Sequence, residues 1–173
     1  QGNHDHAVGF DDDSRWTPAF RAMAEATRRH TSAELSDEQK LYLRDLPLTV
    51  QVERGGTRFQ LVHATPSDPH YGYLLADAEG WAGELESVDA DVLLVGHTHT
   101  PFIRRIGNKT VVNPGSIGQP RRGKPRPSYA IWQDGVFELR NYDYPIETTV
   151  AKLQKLGHPP EVEAELVRIL REG

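Results

Sequence analysis

Residues 93–100, LLVGHTHT, form an apolar run that ends abruptly in two histidines separated by a single residue. A short aliphatic run bounded by glycine is typical of a buried strand in a parallel or sandwich sheet, which we expect over residues 92–95. Because Gly96 ends this strand, His97 and His99 should lie at its carboxyl end, where α/β sheets hold ligands and catalytic groups. Two neutral imidazoles can bind zinc, manganese, iron or nickel there, whereas an isolated His-x-His is also compatible with an ordinary polar loop.

The composition is that of an ordinary globular protein with one sizeable core. The chain has 173 residues, of which 37% are hydrophobic, and a formal charge of -5. This negative balance argues against nucleic acid as a partner, because binders of polyanions usually carry a basic surface. Since there is no cysteine, every metal ligand must be nitrogen or oxygen. No apolar stretch approaches the roughly 20 residues needed to span a bilayer, so we expect a cytoplasmic protein without a membrane partner.

Hydrophobic periodicity and turn residues predict alternating strands and helices along the chain. The predicted hairpins pair Leu48–Glu53 with Arg58–Val62, Phe102–Ile106 with Thr110–Val112, and Tyr129–Trp132 with Val136–Tyr142. The first predicted helix runs from Trp16 to His30, with Trp16, Phe20, Met23, Ala24 and Thr27 on its apolar face. The second runs from the capping box at Ser36 to Leu46, with Leu41, Leu43 and Leu46 on the core face. Two more are predicted from Trp81 to Val88 and from about Pro160, the last with Val162, Leu166, Ile169 and Leu170 on one face.

Other strands also end in polar residues. The second strand of the first hairpin runs into His63, which reads either as a metal ligand or as a hydrogen-bonded packing residue. The loop at residues 68–73 contains His70, a candidate substrate contact or a surface residue. Arg121 opens a basic stretch with Arg122, Lys124 and Arg126, which is either a solvated surface segment or a site that holds a phosphate oxygen or leaving group.

The first residues place an amide, an imidazole and a carboxylate on a loop begun by Gly2. In such a cluster, Asn3 can offer its side-chain oxygen to a metal ion, and His4 can donate a proton while Asp5 holds its tautomer. On composition alone, a disordered polar terminus is an equal alternative.

Taken together, these motifs resemble those of the calcineurin-like metallophosphoesterases. The segments GNHD at residues 2–5, His63, GHTH at residues 96–99 and VNPGSIGQPR at residues 112–121 follow the order of that superfamily, and the last resembles its bacterial phosphodiesterase branch. The resemblance covers nearly the whole chain. It implies an α/β fold, a four-layer α/β/β/α sandwich of mixed sheets, with a two-metal site at the sheet edges.

The family pattern also implies roles for individual residues. It assigns Asn3, His63 and His97 to one divalent metal ion and His99 to the other. It places His4 near the scissile phosphate, oriented by Asp5.

One part of the family pattern does not occur in this chain. Members carry an Asp-x-His segment and a Gly-Asp-x-x-Asp segment before the Gly-Asn-His motif, and these supply further metal ligands. We therefore expect residues 1–173 to be a single domain, incomplete at its N-terminus, with the first strands and those ligands located upstream in a longer parent protein.

The motifs predict a hydrolase. The expected activity is hydrolysis of a phosphodiester by a water or hydroxide activated at a dinuclear centre of Mn, Zn, Fe or Ni ions. A small phosphoester or nucleotide-like ester is the expected substrate. Two alternatives stay open: a non-catalytic scaffold of the same fold, which the intact histidines oppose, and a nucleic-acid exonuclease, which the net charge opposes.

Overall fold

The computed structural model describes residues 1–12, 14–121 and 126–173. The α-helices of this part are α1 (Asn3–Phe10), α2 (Pro18–Glu34), α3 (Asp37–Asp45), α4 (Trp81–Glu84), α5 (Ile146–Leu153) and α6 (Pro160–Glu172), with 3₁₀ turns at Leu85–Ser87 and Gln154–Leu156. The strands are β1 (Thr49–Arg54), β2 (Thr57–Val62), β3 (Val92–Leu94), β4 (Phe102–Ile106), β5 (Lys109–Asn113), β6 (Ser128–Gln133) and β7 (Val136–Asn141). The predicted hairpins and the predicted central strand are confirmed.

A mixed five-stranded sheet positions the polar strand ends. Its strand order is β1-β2-β3-β5-β4, and the three central strands β2, β3 and β5 are parallel. The outer strands β1 and β4 pair antiparallel to their neighbours because short hairpins connect them. The carboxyl ends of the three parallel strands therefore meet at one edge, as the histidine positions predicted.

The central strand divides the core between two faces of this sheet. Leu93, fully buried, belongs to a cluster with Trp81 and Leu85 of the α4 segment. On the opposite face, Phe59 packs edge-on against Trp132 of the hairpin β6–β7, with ring centroids 5.1 Å apart. Because successive strand residues point to opposite faces, β3 is buried on both sides and reads as a continuous apolar run. The predicted mixed-sheet α/β class is confirmed.

The helices follow the sequence prediction in part. Helix α3 starts at the predicted capping box, in which the Ser36 hydroxyl accepts a hydrogen bond from the backbone N–H of Gln39. Its predicted core face is wrong, because Leu41 is 52% exposed and no residue of this helix is buried. Helix α2 starts at Pro18, two residues later than predicted, since proline suits the first helical turn. Helix α6 is confirmed, with its predicted apolar face buried.

The N-terminal motif was expected on a loop and is instead the first turn of a helix. Helix α1 begins at Asn3, and the carboxylate of Asp5 accepts a hydrogen bond from the backbone N–H of Gly2 at 2.8 Å. This single cap by Asp5 stabilises a helix start that the turn-forming residues Gly2 and Asn3 conceal in the sequence. Among the described residues, no helix is long and apolar enough to cross a membrane.

The burial of Leu93 allows a direct test of the core. Leu93→Ala should lower the free energy of unfolding by about 2–5 kcal/mol, because it removes buried apolar surface and leaves a cavity between the sheet and α4. The matched control is Leu156→Ala, whose side chain is 42% exposed and which should change stability by at most about 0.5 kcal/mol. Urea unfolding followed by circular dichroism measures both. Equal effects of the two variants would contradict the assigned core.

Candidate metal centre

Three potential metal ligands converge at the sheet edge. His63 follows β2 directly, and its Nε2 lies 2.8 Å from Oδ1 of Asn3 and 3.2 Å from Nδ1 of His97. The side chain of Asn3 is buried, and a Cβ atom on Gly2 would lie only 3.0 Å from the ring of His63. Glycine at position 2 therefore lets the start of α1 approach the histidine closely. The structure brings together three of the predicted ligands.

The histidines after β3 occupy a strained turn. His97 and His99 both have left-handed backbone conformations, with φ angles of 50° and 58°. For residues other than glycine this conformation costs roughly 1–2 kcal/mol each, and such outliers concentrate at functional sites. The fully buried amide of Asn113 holds the turn by donating to the carbonyl of Gly96 at 2.6 Å and to the hydroxyl of Thr98 at 3.1 Å.

His99 is held in a defined orientation. Its Nδ1 donates a hydrogen bond to the backbone carbonyl of Gln119 at 2.7 Å. This bond assigns the proton to Nδ1 and leaves the lone pair of Nε2 free for a metal ion. The predicted ligand role of His99 is compatible with this geometry and stays a prediction.

His4 lies beside the cluster and remains exposed to solvent at its outer side. Its ring packs on the indole of Trp16, with centroids 5.0 Å apart. The hydrogen bond of the Asp5 carboxylate goes to the backbone of Gly2, so the described influence of Asp5 on His4 is electrostatic. Partial burial lowers the pKa of His4, while the charge of Asp5 opposes that shift.

Burial also keeps the other imidazoles neutral. It lowers the pKa of His63 to about 3 and that of His97 to about 4, and the neighbouring histidines add to both shifts. Burial lowers the pKa of His99 as well, against the opposing effect of the Gln119 carbonyl. Neutral imidazoles keep a lone pair available, so the cluster can bind a cation at neutral pH without first losing protons.

The two predicted substrate contacts differ in position. Arg121 lies near His4 and His99, since its charge lowers the pKa of both, and its guanidinium stands 5.6 Å from the ring centroid of Phe20. His70 instead bonds to the side-chain oxygen of Gln1 at 3.0 Å and stacks on His6. Residues 122, 124 and 126 completed the predicted basic stretch; the first two lie outside the described residues, and Arg126 pairs with Asp143.

The donor set fits a divalent metal ion. Asn3, His63 and His97 offer one oxygen and two nitrogen atoms, and ligands bound at about 2.1 Å to one ion are themselves about 3 Å apart. The observed spacings of 2.8 and 3.2 Å are those of hydrogen bonds between these side chains and are also close to this value. In the described part of the chain, no three His, Asp or Glu side chains converge on a single point. Among these described residues, the amide of Asn3 supplies the third donor atom beside His63 and His97.

Sequence reasoning missed two positioning groups and one aromatic residue. The role of Asn113 in holding the histidine turn depends on the pairing of β3 with β5, which no local pattern reveals. The contact of the Gln119 carbonyl with His99 spans 20 residues. Trp16 was predicted on the core face of a helix, and it lies before that helix against His4.

Comparison with known proteins identifies the family. The model of the calcineurin-like phosphoesterase superfamily domain matches residues 1–133, and the chain belongs to this superfamily. Membership implies divalent metal ions as cofactors. An uncharacterized protein of Methanocaldococcus jannaschii is 28% identical over 172 residues, which cover 89% of this chain and 68% of that protein. A probable metallophosphoesterase of Mycoplasma pneumoniae is 32% identical over 81 residues, or 44% of this chain and 47% of the relative.

Solved structures show the same fold. A hypothetical protein from Pyrococcus horikoshii superposes with a TM-score of 0.83 at 23% identity, covering 100% of this chain and 71% of that one. A metallophosphoesterase from Sphaerobacter thermophilus superposes with a TM-score of 0.75 at 26% identity, covering 95% of this chain and 74% of that one. The mixed α/β architecture is thus that of metallophosphoesterases.

The low pKa values of the half-buried His63 and His97 predict acid sensitivity of the metal-free protein. Since His63 and His97 have folded-state pKa values below the usual 6.5, the unfolded state binds more protons as the pH falls below that value. The free energy of unfolding should therefore have its full value above about pH 6.5. It should fall by about 2 kcal/mol in total between pH 7 and pH 5, a figure that includes a reduction for solvent screening. Urea unfolding in excess chelator measures this. The double variant His63→Asn/His97→Asn should show a clearly smaller slope, and an unchanged slope would contradict the assignment.

Proposed function

We propose that this chain acts as a metal-dependent phosphodiesterase, hydrolysing small phosphodiesters or nucleotide-like esters. The observation that carries the proposal is the convergence of Asn3, His63 and His97 at one sheet edge, with His4 and Arg121 beside them. Membership of the calcineurin-like phosphoesterase superfamily supports a phosphoester as the substrate.

In this proposal, Asn3, His63 and His97 hold one divalent ion and Nε2 of His99 reaches a second. Manganese, zinc, iron and nickel all suit a site of imidazole and amide donors. When bound, such ions neutralise the charge of a phosphoryl group and lower the pKa of a water molecule toward neutrality. Two hydrogen bonds keep the ligand atoms in place, one from His99 to the Gln119 carbonyl and one from Asn113 to the carbonyl of Gly96.

The remaining residues of the site serve the substrate. His4 donates a proton to the leaving oxygen, because its ring lies beside the ligand cluster and still reaches solvent. Asp5 raises the proton affinity of His4 through its charge. Arg121 binds phosphoryl oxygens, since its cation lies near His4 and His99 and would be neutralised by an anion between them. His70, in the same loop as Tyr71 and bonded to Gln1, is the second candidate substrate contact.

Replacing a ligand should remove metal binding and activity together. His97→Ala should weaken manganese binding by at least about tenfold and should abolish most hydrolysis of bis(4-nitrophenyl) phosphate, as excess chelator should in the unaltered protein. His158→Ala is the matched control, because it removes a histidine between α5 and α6, away from the cluster. Isothermal titration and a nitrophenolate assay measure both properties. Metal binding without hydrolysis of any diester would favour the scaffold alternative.

Replacing His4 should produce a narrower defect. His4→Ala should retain the metal content, and its rate loss should be about 10²–10⁴-fold for diesters with an alkoxide leaving group but small for nitrophenyl esters. The reason is that a stabilised phenolate leaves without a proton. Rates across a series of leaving groups, with metal content measured in parallel, provide the test. Equal losses for all leaving groups would instead indicate that His4 acts on the phosphoryl charge.

A further inference from the structure

Aromatic rings border the candidate metal centre on one side. Trp16 lies 5.0 Å from His4 between ring centroids and meets Tyr71 edge-on at 6.0 Å. Tyr71 in turn lies edge-on to His97 at 6.4 Å, and Tyr73 approaches the same histidine at 5.9 Å. These rings therefore form a wall between the proposed proton donor and a proposed metal ligand.

The members of the wall differ in what they can bind. The guanidinium of Arg15 lies 4.3 Å from the centroid of the Tyr71 ring. It also forms a bidentate ion pair with the carboxylate of Asp68, with N–O distances of 2.6 and 3.0 Å. One face of Tyr71 is thus already covered, and this residue supports its neighbours. Tyr73 is 58% exposed, so its ring is open to a ligand.

Trp16 is positioned by these contacts. Its indole N–H is buried and finds no acceptor within the part of the chain that the structure describes. Packing against His4 and Tyr71 therefore orients the ring, and the side chain is partly accessible. The phosphate-binding residues of the site offer hydrogen bonds and charge, whereas the indole beside them offers a large, flat apolar surface.

We propose that Trp16 and Tyr73 form a ring-binding subsite that holds the planar base of a nucleotide phosphodiester next to the metal centre. This inference rests on the proposed function and names its substrate class. A nucleotide carries an anion and a flat base a few ångströms apart, which matches Arg121 and the histidines on one side and two accessible aromatic rings on the other. Stacking on aromatic side chains tolerates any base, so the subsite selects for a base without selecting its identity.

The contacts of Trp16 also indicate which part of the ester carries the bound base. Trp16 packs on His4, the proposed donor to the leaving group, so the base that it binds belongs to the departing part of the ester. Tyr73 contacts His97 at the other end of the wall and bounds the subsite there. The departing group is accordingly a nucleoside or nucleotide.

Binding of two phosphates that differ only in the base tests the subsite. Adenosine 5′-monophosphate should bind the manganese-loaded protein about tenfold more tightly than ribose 5-phosphate, as measured by equilibrium dialysis. Trp16→Ala should remove most of this difference by weakening only the nucleotide, and Trp16→Phe should restore part of it because a ring remains. Tyr73→Ala should reduce the preference by a smaller factor, whereas Tyr42→Ala, which removes a 67% exposed tyrosine on α3, should leave it unchanged.

The outcomes separate this inference from the proposed function. If both phosphates bind equally while chelator-sensitive diester hydrolysis persists, the subsite is refuted and the phosphodiesterase proposal stands. If the nucleotide preference and its loss in Trp16→Ala are found in a protein that hydrolyses no ester, the subsite stands and the proposed function fails. A preference that survives both Trp16→Ala and Tyr73→Ala, with circular dichroism unchanged, would also overturn the assignment.

Discussion

Nε2 of His63 lies 3.2 Å from Nδ1 of His97, and this close contact limits the charge that the two rings can carry. Two imidazoles at this distance cannot both carry a proton charge without strong repulsion, so the cluster requires neutral rings with their nitrogen atoms directed at one another. Burial supplies that condition by lowering both pKa values far below neutrality. Neutral rings satisfy the contact through one shared hydrogen bond, and each neutral ring keeps a lone pair that a cation can use.

The sheet creates this contact through its parallel centre. His63 and His97 are separated by 34 residues, yet β2 and β3 are neighbours and run in the same direction, so both histidines leave the sheet at one edge. The pairing of β3 with β5 then brings Asn113 under the turn that carries His97. The left-handed conformations of that turn persist because the amide of Asn113 and the sheet hold the backbone on both sides. The core around Leu93 therefore helps to orient the ligands, because it holds the paired strands from which they extend.

Several of these features were accessible to local sequence reasoning. Strands β2, β3 and β5, the capping box of α3 and the apolar face of α6 depend on patterns within a few residues, and each was predicted. The expected loop at residues 2–5 was wrong because Gly2 and Asn3 suit a turn as well as a helix start. The cap by Asp5 is a local interaction, but the contacts of α1 with α3 that also select the helix are not.

Two further errors have the same physical origin. Leu41 continues an apolar period but is exposed, since burial depends on which face of α3 meets another element and not on the period alone. Trp16 matched a helical stripe, and only the chain's return at residues 68–73 shows that the indole packs beside His4.

The sequence by itself determined the positions of the strands along the chain, their polar ends and the nitrogen and oxygen chemistry of the candidate ligands, because these follow from short-range periodicity and residue type. The tertiary structure alone decided that Asn3, His63 and His97 meet, that Gln119 orients His99, and that an aromatic wall adjoins His4. Such contacts depend on strand pairing and packing between segments distant in the chain, and the free energy that selects them is distributed over the whole core.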